Sequence, residues 1–303
     1  MRNKEKLPAI NHAPFRDKLR TYLRHPVSLL GMILVVIAAL ATIGVLVALI
    51  VYILVNGIPY LTPELFSFTY TSENASMFPA IINTITMTFL SLLIAVPFSL
   101  FTAIYLVEYA KRGNKLVGVI RTTAETLSGI PSIVYGLFGM LFFVTTLGWG
   151  TSLLAGAMTL SIMILPLIMR STEEALQAVP DSYREGSFGL GAGRLRTVFR
   201  VILPPAMPGI LAGIILAVGR IVGETAALLY TSGTMAQIPD LTHDGLVMGS
   251  GATLAVHMYV LSGEGLHMNE ANATGVVLLI IVLGINLLSS LVSHSDLQVL
   301  TLL

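Results

Sequence analysis

Arg220 and Glu224 lie four residues apart inside an otherwise uncharged, apolar run over 205–230. In a continuous helix the two share a face one turn apart. An ionisable side chain within a membrane span is costly, which makes it a lead to function. The Arg guanidinium is a planar fork of donors that matches a tetrahedral oxyanion. A neighbouring carboxylate accepts a hydrogen bond from an oxyanion that still carries a proton. Phosphate near neutral pH keeps at least one proton and sulfate keeps none, so the pair favours phosphate and repels sulfate. The alternative is a structural pair that satisfies itself at a helix interface, although buried pairs of that kind add little net stability. Gly209/Gly213 and Gly219/Gly223 have the spacing that lets a second helix approach closely. This puts Arg220 at a helix interface or at a pore shared with a second subunit. For Gly209/Gly213, ordinary packing within the chain is an equal alternative.

The elements that position this pair follow from charge and hydropathy. Hydrophobic residues make up 55% of the 303-residue chain and charged residues 11%, and the mean hydropathy is +0.85. Soluble domains average roughly 25% charged residues, so the chain is an all-α integral membrane protein. Of its 17 Lys and Arg, all but Arg220 fall in three blocks, at 2–24, 111–121 and 170–200. Cationic loops stay in the cytoplasm. A spanning helix needs about 20 apolar residues. Together these rules predict six spans at 28–55, 80–107, 126–147, 151–169, 205–230 and 274–292. Both termini and the segment 170–204 are then cytoplasmic, while 56–79 and 231–273 face outward.

Thr126 to Met169 carries no charge and is broken only by Gly148-Trp149-Gly150. Trp149 is expected at a membrane interface. Pro97 is expected to kink the second span. The first apolar run is too long for a signal peptide, whose core is roughly 7–15 residues, and is read as a retained span. Leu254–Leu261 is apolar but too short to cross, so it lies on the outer surface or dips inward.

There is no Cys, which excludes disulfides and thiol chemistry, and no phosphate-binding P-loop. His243, His257 and His267 share one outer loop without metal-ligand spacing, and no metal site is expected. A lipid head-group enzyme is the rival from another class. It is disfavoured because no Ser/His/Asp or His/Asp set gathers at one membrane face. Arg170, at the inner end of span four, is either a positive-inside anchor or a second basic group on an inward exit path. Asn83, Ser132, Tyr135 and Asn286 either line a pathway or hydrogen-bond between helices.

Within 170–204, Pro180-Asp181 suits a helix start and Gly191 and Gly193 suit the break after it. Leu195, Val198, Phe199, Ile202 and Leu203 then follow helical spacing, with Arg194, Arg196 and Arg200 on the other face. The segment is read as a helix–turn–helix that docks a cytoplasmic partner or lies on anionic lipid.

Glu185-Gly186-Ser187, Gly191 and Val201-Ile202-Leu203-Pro204 resemble the E-A-A-x3-G-x9-I-x-L-P loop of bacterial ABC importer permeases. Glu185, Gly191, Leu203 and Pro204 match it. Gly186 and Ser187 stand for the two Ala, and Val201 for Ile. Arg220-Ile221-Val222-Gly223-Glu224-Thr225-Ala226-Ala227 resembles the R-x-x-G-E-T-A-A stretch of phosphate ABC permeases. The segment from Glu125 to Gly136 is similar to their E-x-L-x-G-I-P-S-I-V-Y-G, and Ala103–Tyr109 is also similar.

The resemblance covers about 80–230 and is to the A-type permeases of Pst-type phosphate importers. It implies the type I ABC importer permease fold, with a basic N-terminus at 1–26, a first helix and outer loop at 27–79, a permease domain at 80–294 and a tail at 295–303. It also implies a sister C-type permease, two ATPase subunits that bind ATP and Mg and push on the loop, and an extracytoplasmic phosphate-binding protein. The chain itself would hold no cofactor and would not be an enzyme. A permease for phosphonate, sulfate or molybdate is the nearest alternative. The outer loops carry only acidic charge, which favours delivery by a partner over capture of a free anion.

Overall fold

A computed structural model describes residues 26–111, 113–238, 245–265 and 267–300. The basic N-terminal block, His243 and the last three residues lie outside the described residues. The chain forms two compact units, residues 1–54 and 55–303. The described part of the first unit is a single apolar helix, α1, which runs Pro26–Gly57. Its length and composition suit a span.

In the second unit, α2 (Phe78–Ile104) passes through Pro97 as one element and continues as a π-helical turn, Tyr105–Tyr109. Next come α3 (Lys115–Ser128), α4 (Ser132–Gly139, extended by a π segment to Thr146) and α5 (Leu153–Gln177). Helix α6 (Asp181–Gly189) lies in the loop expected to be cytoplasmic. Helix α7 (Arg194–Thr197) runs through a π turn, Val198–Ile202, directly into α8 (Leu203–Val222). Short α9 (Ala226–Thr231) and α10 (Gly245–Met248) lead to α11 (Leu254–Glu264) and α12 (Met268–Leu300).

Among the described residues five helices are long and apolar enough to cross a membrane. A sixth span is obtained when α3 and α4 count as one, bent by 101°. The third span therefore departs from the expected straight helix over 126–147. Pro131 has no N–H to continue the ladder, and it disfavours helical backbone at Ile130. Gly129 closes α3 through its N–H to Thr126 O (3.2 Å). The turn before α5 matches expectation, with Gly148 and Gly150 at φ +69° and +66°. There Trp149 stacks on Phe143 with ring centroids 5.5 Å apart.

The core lies between α2, α5 and α8, around Met87, Leu160, Met163, Ile164, Ala217 and Ile221. Serines tie α2 to α5, since Ser91 Oγ donates to Ala157 O (3.3 Å) and Ser99 Oγ to Leu165 O (3.0 Å). In lipid such bonds and close packing replace the hydrophobic drive between helices. Helix α11 packs against the rest of the unit, with Leu254 through His257 all buried. Its first N–H, at Leu254, donates to Thr84 Oγ1 (2.8 Å). His257 has its Nε2 3.3 Å from Ala75 O. Burial holds its imidazole below the ordinary value, against that backbone bond. Among the described residues no group of His and carboxylates is placed to hold a metal.

The native chain has no Cys, so single substitutions test the topology. Ser72 and Ser182 are both exposed. An impermeant maleimide is expected to label Ser72→Cys on intact cells, and Ser182→Cys only after the membrane is opened. The reverse pattern would overturn the assignment.

Candidate functional site

Arg220 stands in the last turn of α8, and the helix stops just beyond it. Gly223 N donates to Gly219 O (3.3 Å), and residues 223–225 leave the helix before α9 begins. Span five is thus broken where a continuous helix over 205–230 was expected. The expected same-face ion pair does not form. Glu224 is buried, and its Oε1 accepts the first-turn N–H of Ala227 (3.2 Å). The break sorts the two charges to suitable helix ends, the cation at the C-terminus of α8 and the carboxylate at the N-terminus of α9.

Arg220 is half-buried. It has neither an ion pair nor a hydrogen bond to any described residue. Its charge acts on the Tyr135 hydroxyl. That hydroxyl donates to Leu127 O (2.7 Å) and so bridges the bend between α3 and α4. The two interrupted spans meet at Gly136, where a Cβ would stand 2.7 Å from the Ala227 Cα.

The two glycine pairs separate cleanly. A Cβ on Gly209 would meet the Ala175 Cβ at 2.7 Å, and one on Gly213 would strike Ser171, so this pair packs within the chain against α5. Around Gly219 there is nothing within 4 Å, and Gly223 meets only the Gly219 carbonyl at 3.6 Å. The face beside Arg220 is therefore open in the single chain.

Ser171 is level with Gly213, and α5 and α8 run antiparallel. At 1.5 Å per residue, Arg170 sits roughly 10 Å along the helices from the level of Arg220. It is exposed and paired with Glu174 (Nε–Oε1 3.1 Å). It lines a cleft with Arg121, Glu125, Glu173 and Glu174, in which carboxylates outnumber guanidiniums. Of the polar residues named from sequence, Asn83 donates to Gln237 O (2.9 Å) and Ala252 O (3.2 Å), joining α2 to the outer loop. Ser132 opens α4 half-buried, and Asn286 is exposed.

In the loop, Glu185, Gly186 and Ser187 lie on α6, and Gly191 makes the turn at φ +83°. Ser187 Oγ and Thr197 Oγ1 are 2.8 Å apart, linking α6 to α7. Leu203 and Pro204 open α8 without a break, because the π turn carries the chain through. Val198 and Ile202 are buried, whereas Tyr183, Phe188, Leu190 and Leu195 stay exposed, Leu190 by 91%. Tyr183, Gly186, Leu190 and Arg200 line an open groove. The expected single apolar face is thus half core and half free surface.

Two buried or half-buried ion pairs escaped the sequence reading, Arg184–Glu108 and Arg121–Glu173. Their partners are far apart in sequence, and both arginines counted there only as positive-inside charge. The one local signal was Asp181, one turn before Arg184.

The family described as "Binding-protein-dependent transport system inner membrane component" matches residues 95–294. The chain belongs to it. It is an inner-membrane permease subunit of an ABC importer, and ATP hydrolysis resides in other subunits. The probable ABC transporter permease protein YqgI of Bacillus subtilis is 36% identical to it, over 89% of this chain and 92% of its own length. The phosphate transport system permease protein PstA 1 of Mycobacterium tuberculosis is 36% identical, over 71% of this chain and 70% of its own. Among solved structures, a bacterial transporter importing the acidic polysaccharide alginate aligns with TM-score 0.63 at 18% identity, over 92% of this chain and 99% of its own. The MetNI methionine transporter gives 0.58 at 21%, over 73% and 94%. The permease has the type I ABC importer fold.

Proposed function

We propose that this permease moves inorganic phosphate into the cytoplasm and that Arg220 meets the anion inside the membrane. The observation that carries this reading is the state of Arg220. It is half-buried at the broken end of span five, no described carboxylate neutralises it, and the neighbouring Glu224 is engaged by backbone instead. An unpaired guanidinium at such depth is costly unless it has work to do. The phosphate permeases among the relatives support the same substrate.

Glu224 has one oxygen left, which accepts a hydrogen bond from a protonated oxyanion. Arg170 serves as an anchor, since its acidic cleft does not retain an anion. The open Gly219/Gly223 face beside Arg220 fits a sister C-type permease. The groove around Tyr183 and Leu190, built on the motif residues Glu185 to Gly191, fits one of two ATPase subunits that hold ATP and Mg. An extracytoplasmic phosphate-binding protein delivers the anion to the outer loops.

Selectivity tests this reading. Gln at position 224 still offers an oxygen to the Ala227 N–H, so Glu224→Gln keeps the fold but no longer repels a fully deprotonated anion. In reconstituted complexes, phosphate uptake is expected to fall severalfold while competition by sulfate appears. Unchanged discrimination would remove Glu224 from the site. Wild-type complex that carries sulfate or molybdate in preference to phosphate would replace the substrate.

A further inference from the structure

The Arg184 guanidinium uses all five of its donors. Nε donates to Glu108 Oε1 (3.1 Å), and Nη2 to the same oxygen (2.7 Å) and to Leu176 O (2.9 Å). Nη1 donates to Val179 O (2.8 Å) and Asp181 Oδ1 (3.2 Å). The Arg184 side chain is 16% exposed and that of Glu108 is 8%. Three segments are gripped at once: the π turn that ends span two, the end of span four, and the first turn of α6. Ser187, on the same short helix, bonds Thr197 at the start of span five.

A buried ion pair is a weak source of net stability, and apolar side chains of similar volume hold a fold as well or better. It does give direction, because a fork bound at every donor fixes the angle between the groups that it joins. Apolar packing allows sliding, and this pair does not. It also lies beside a different cavity from the exposed Tyr183/Leu190 groove, one lined by Glu108, Asp181 and Arg184. A partner seated in that groove therefore leaves the pair intact.

We propose that Arg184, gripping Glu108, is the joint that passes displacement of α6 to span two, which makes Arg184 a positioning residue for coupling. This rests on the reading of the 170–204 loop as the ATPase dock. Without the joint, α6 moves with the ATPase while span two stays behind, and hydrolysis proceeds without opening the path.

The test uses the full complex in liposomes. The double variant Glu108→Leu/Arg184→Met removes the pair without stranding a charge. It is expected to reach normal membrane abundance, to copurify with the ATPase and to keep basal hydrolysis. Phosphate taken up per ATP hydrolysed should fall roughly tenfold or more, the scale of a coupling free energy. Arg184→Lys keeps charge without the fork and should lose part of the coupling. Ser182→Cys, cross-linked to the ATPase, separates the two readings. A cross-link together with normal uptake per ATP in the double variant overturns the joint alone. No cross-link in otherwise wild-type complex overturns the dock and the joint with it. A fall in abundance that matches the fall in uptake marks a structural clamp and overturns the joint.

Discussion

Arg220→Gln is expected to reduce phosphate uptake by about a hundredfold or more, the cost of removing one partner from a buried charged contact, while the amount of permease in the membrane stays unchanged. The second half of that expectation comes from the structure. A structural Arg220–Glu224 pair would make either single change strand a buried charge and deplete the folded protein. Here Glu224 is held by the Ala227 N–H, and Arg220 has no described partner to strand. Removing the guanidinium therefore relieves a cost within the span. Arg220→Lys should also transport poorly, because an ammonium does not reproduce the two-pronged contact. Immunoblotting of membranes alongside labelled phosphate uptake decides the matter. Normal uptake by Arg220→Gln would refute the anion site, and abundance falling in step with uptake would restore the structural pair.

The spans were legible because the sorting of Lys and Arg reports on topology independently of hydropathy. The breaks were not legible. Gly129-Ile130-Pro131 carries a stop signal, but it sits within an uncharged stretch where hydropathy has no edge to mark. By its spacing Gly223 is a small residue suited to helix packing, whereas its consequence is the end of α8. That one difference turned a same-face pair into two charges at opposite helix ends. The sequence singles out Arg220 and Glu224, and only the backbone shows that Glu224 is engaged by the Ala227 N–H while Arg220 keeps no described partner. Between the two glycine pairs, sequence spacing has no power to choose. The choice depends on whether Ala175 and Ser171 of another span lie opposite. Arg184 shows the same limit, since a partner 76 positions away leaves no mark in local spacing.

Gly136→Val should have the largest effect on the folded protein. A Cβ at this position would stand 2.7 Å from the Ala227 Cα, 3.0 Å from its carbonyl oxygen and 3.2 Å from its carbonyl carbon. All three are backbone atoms, so no side-chain rotation relieves the clash and the two interrupted spans must part. Gly139, one turn on, is closed by the side chains of Thr159 and Thr231. Overpacking of a tight core costs about 1–3 kcal/mol and more where backbone must move, a large share of a marginal stability. Parting α4 from α9 also displaces the Ala227 N–H that engages Glu224, so the proposed anion site should be lost with the packing. Membrane abundance and thermal stability should both fall for Gly136→Val, and uptake should fall in proportion, unlike the selective loss expected for Arg220→Gln. Gly118→Ala is the control. It lies within α3, and an added Cβ meets nothing within 4 Å. It should be neutral or gain up to about 1 kcal/mol from helix propensity. A Gly136→Val permease with wild-type abundance and uptake would show that the two broken spans do not approach at this point, and the arrangement around Arg220 and Glu224 would have to be redrawn.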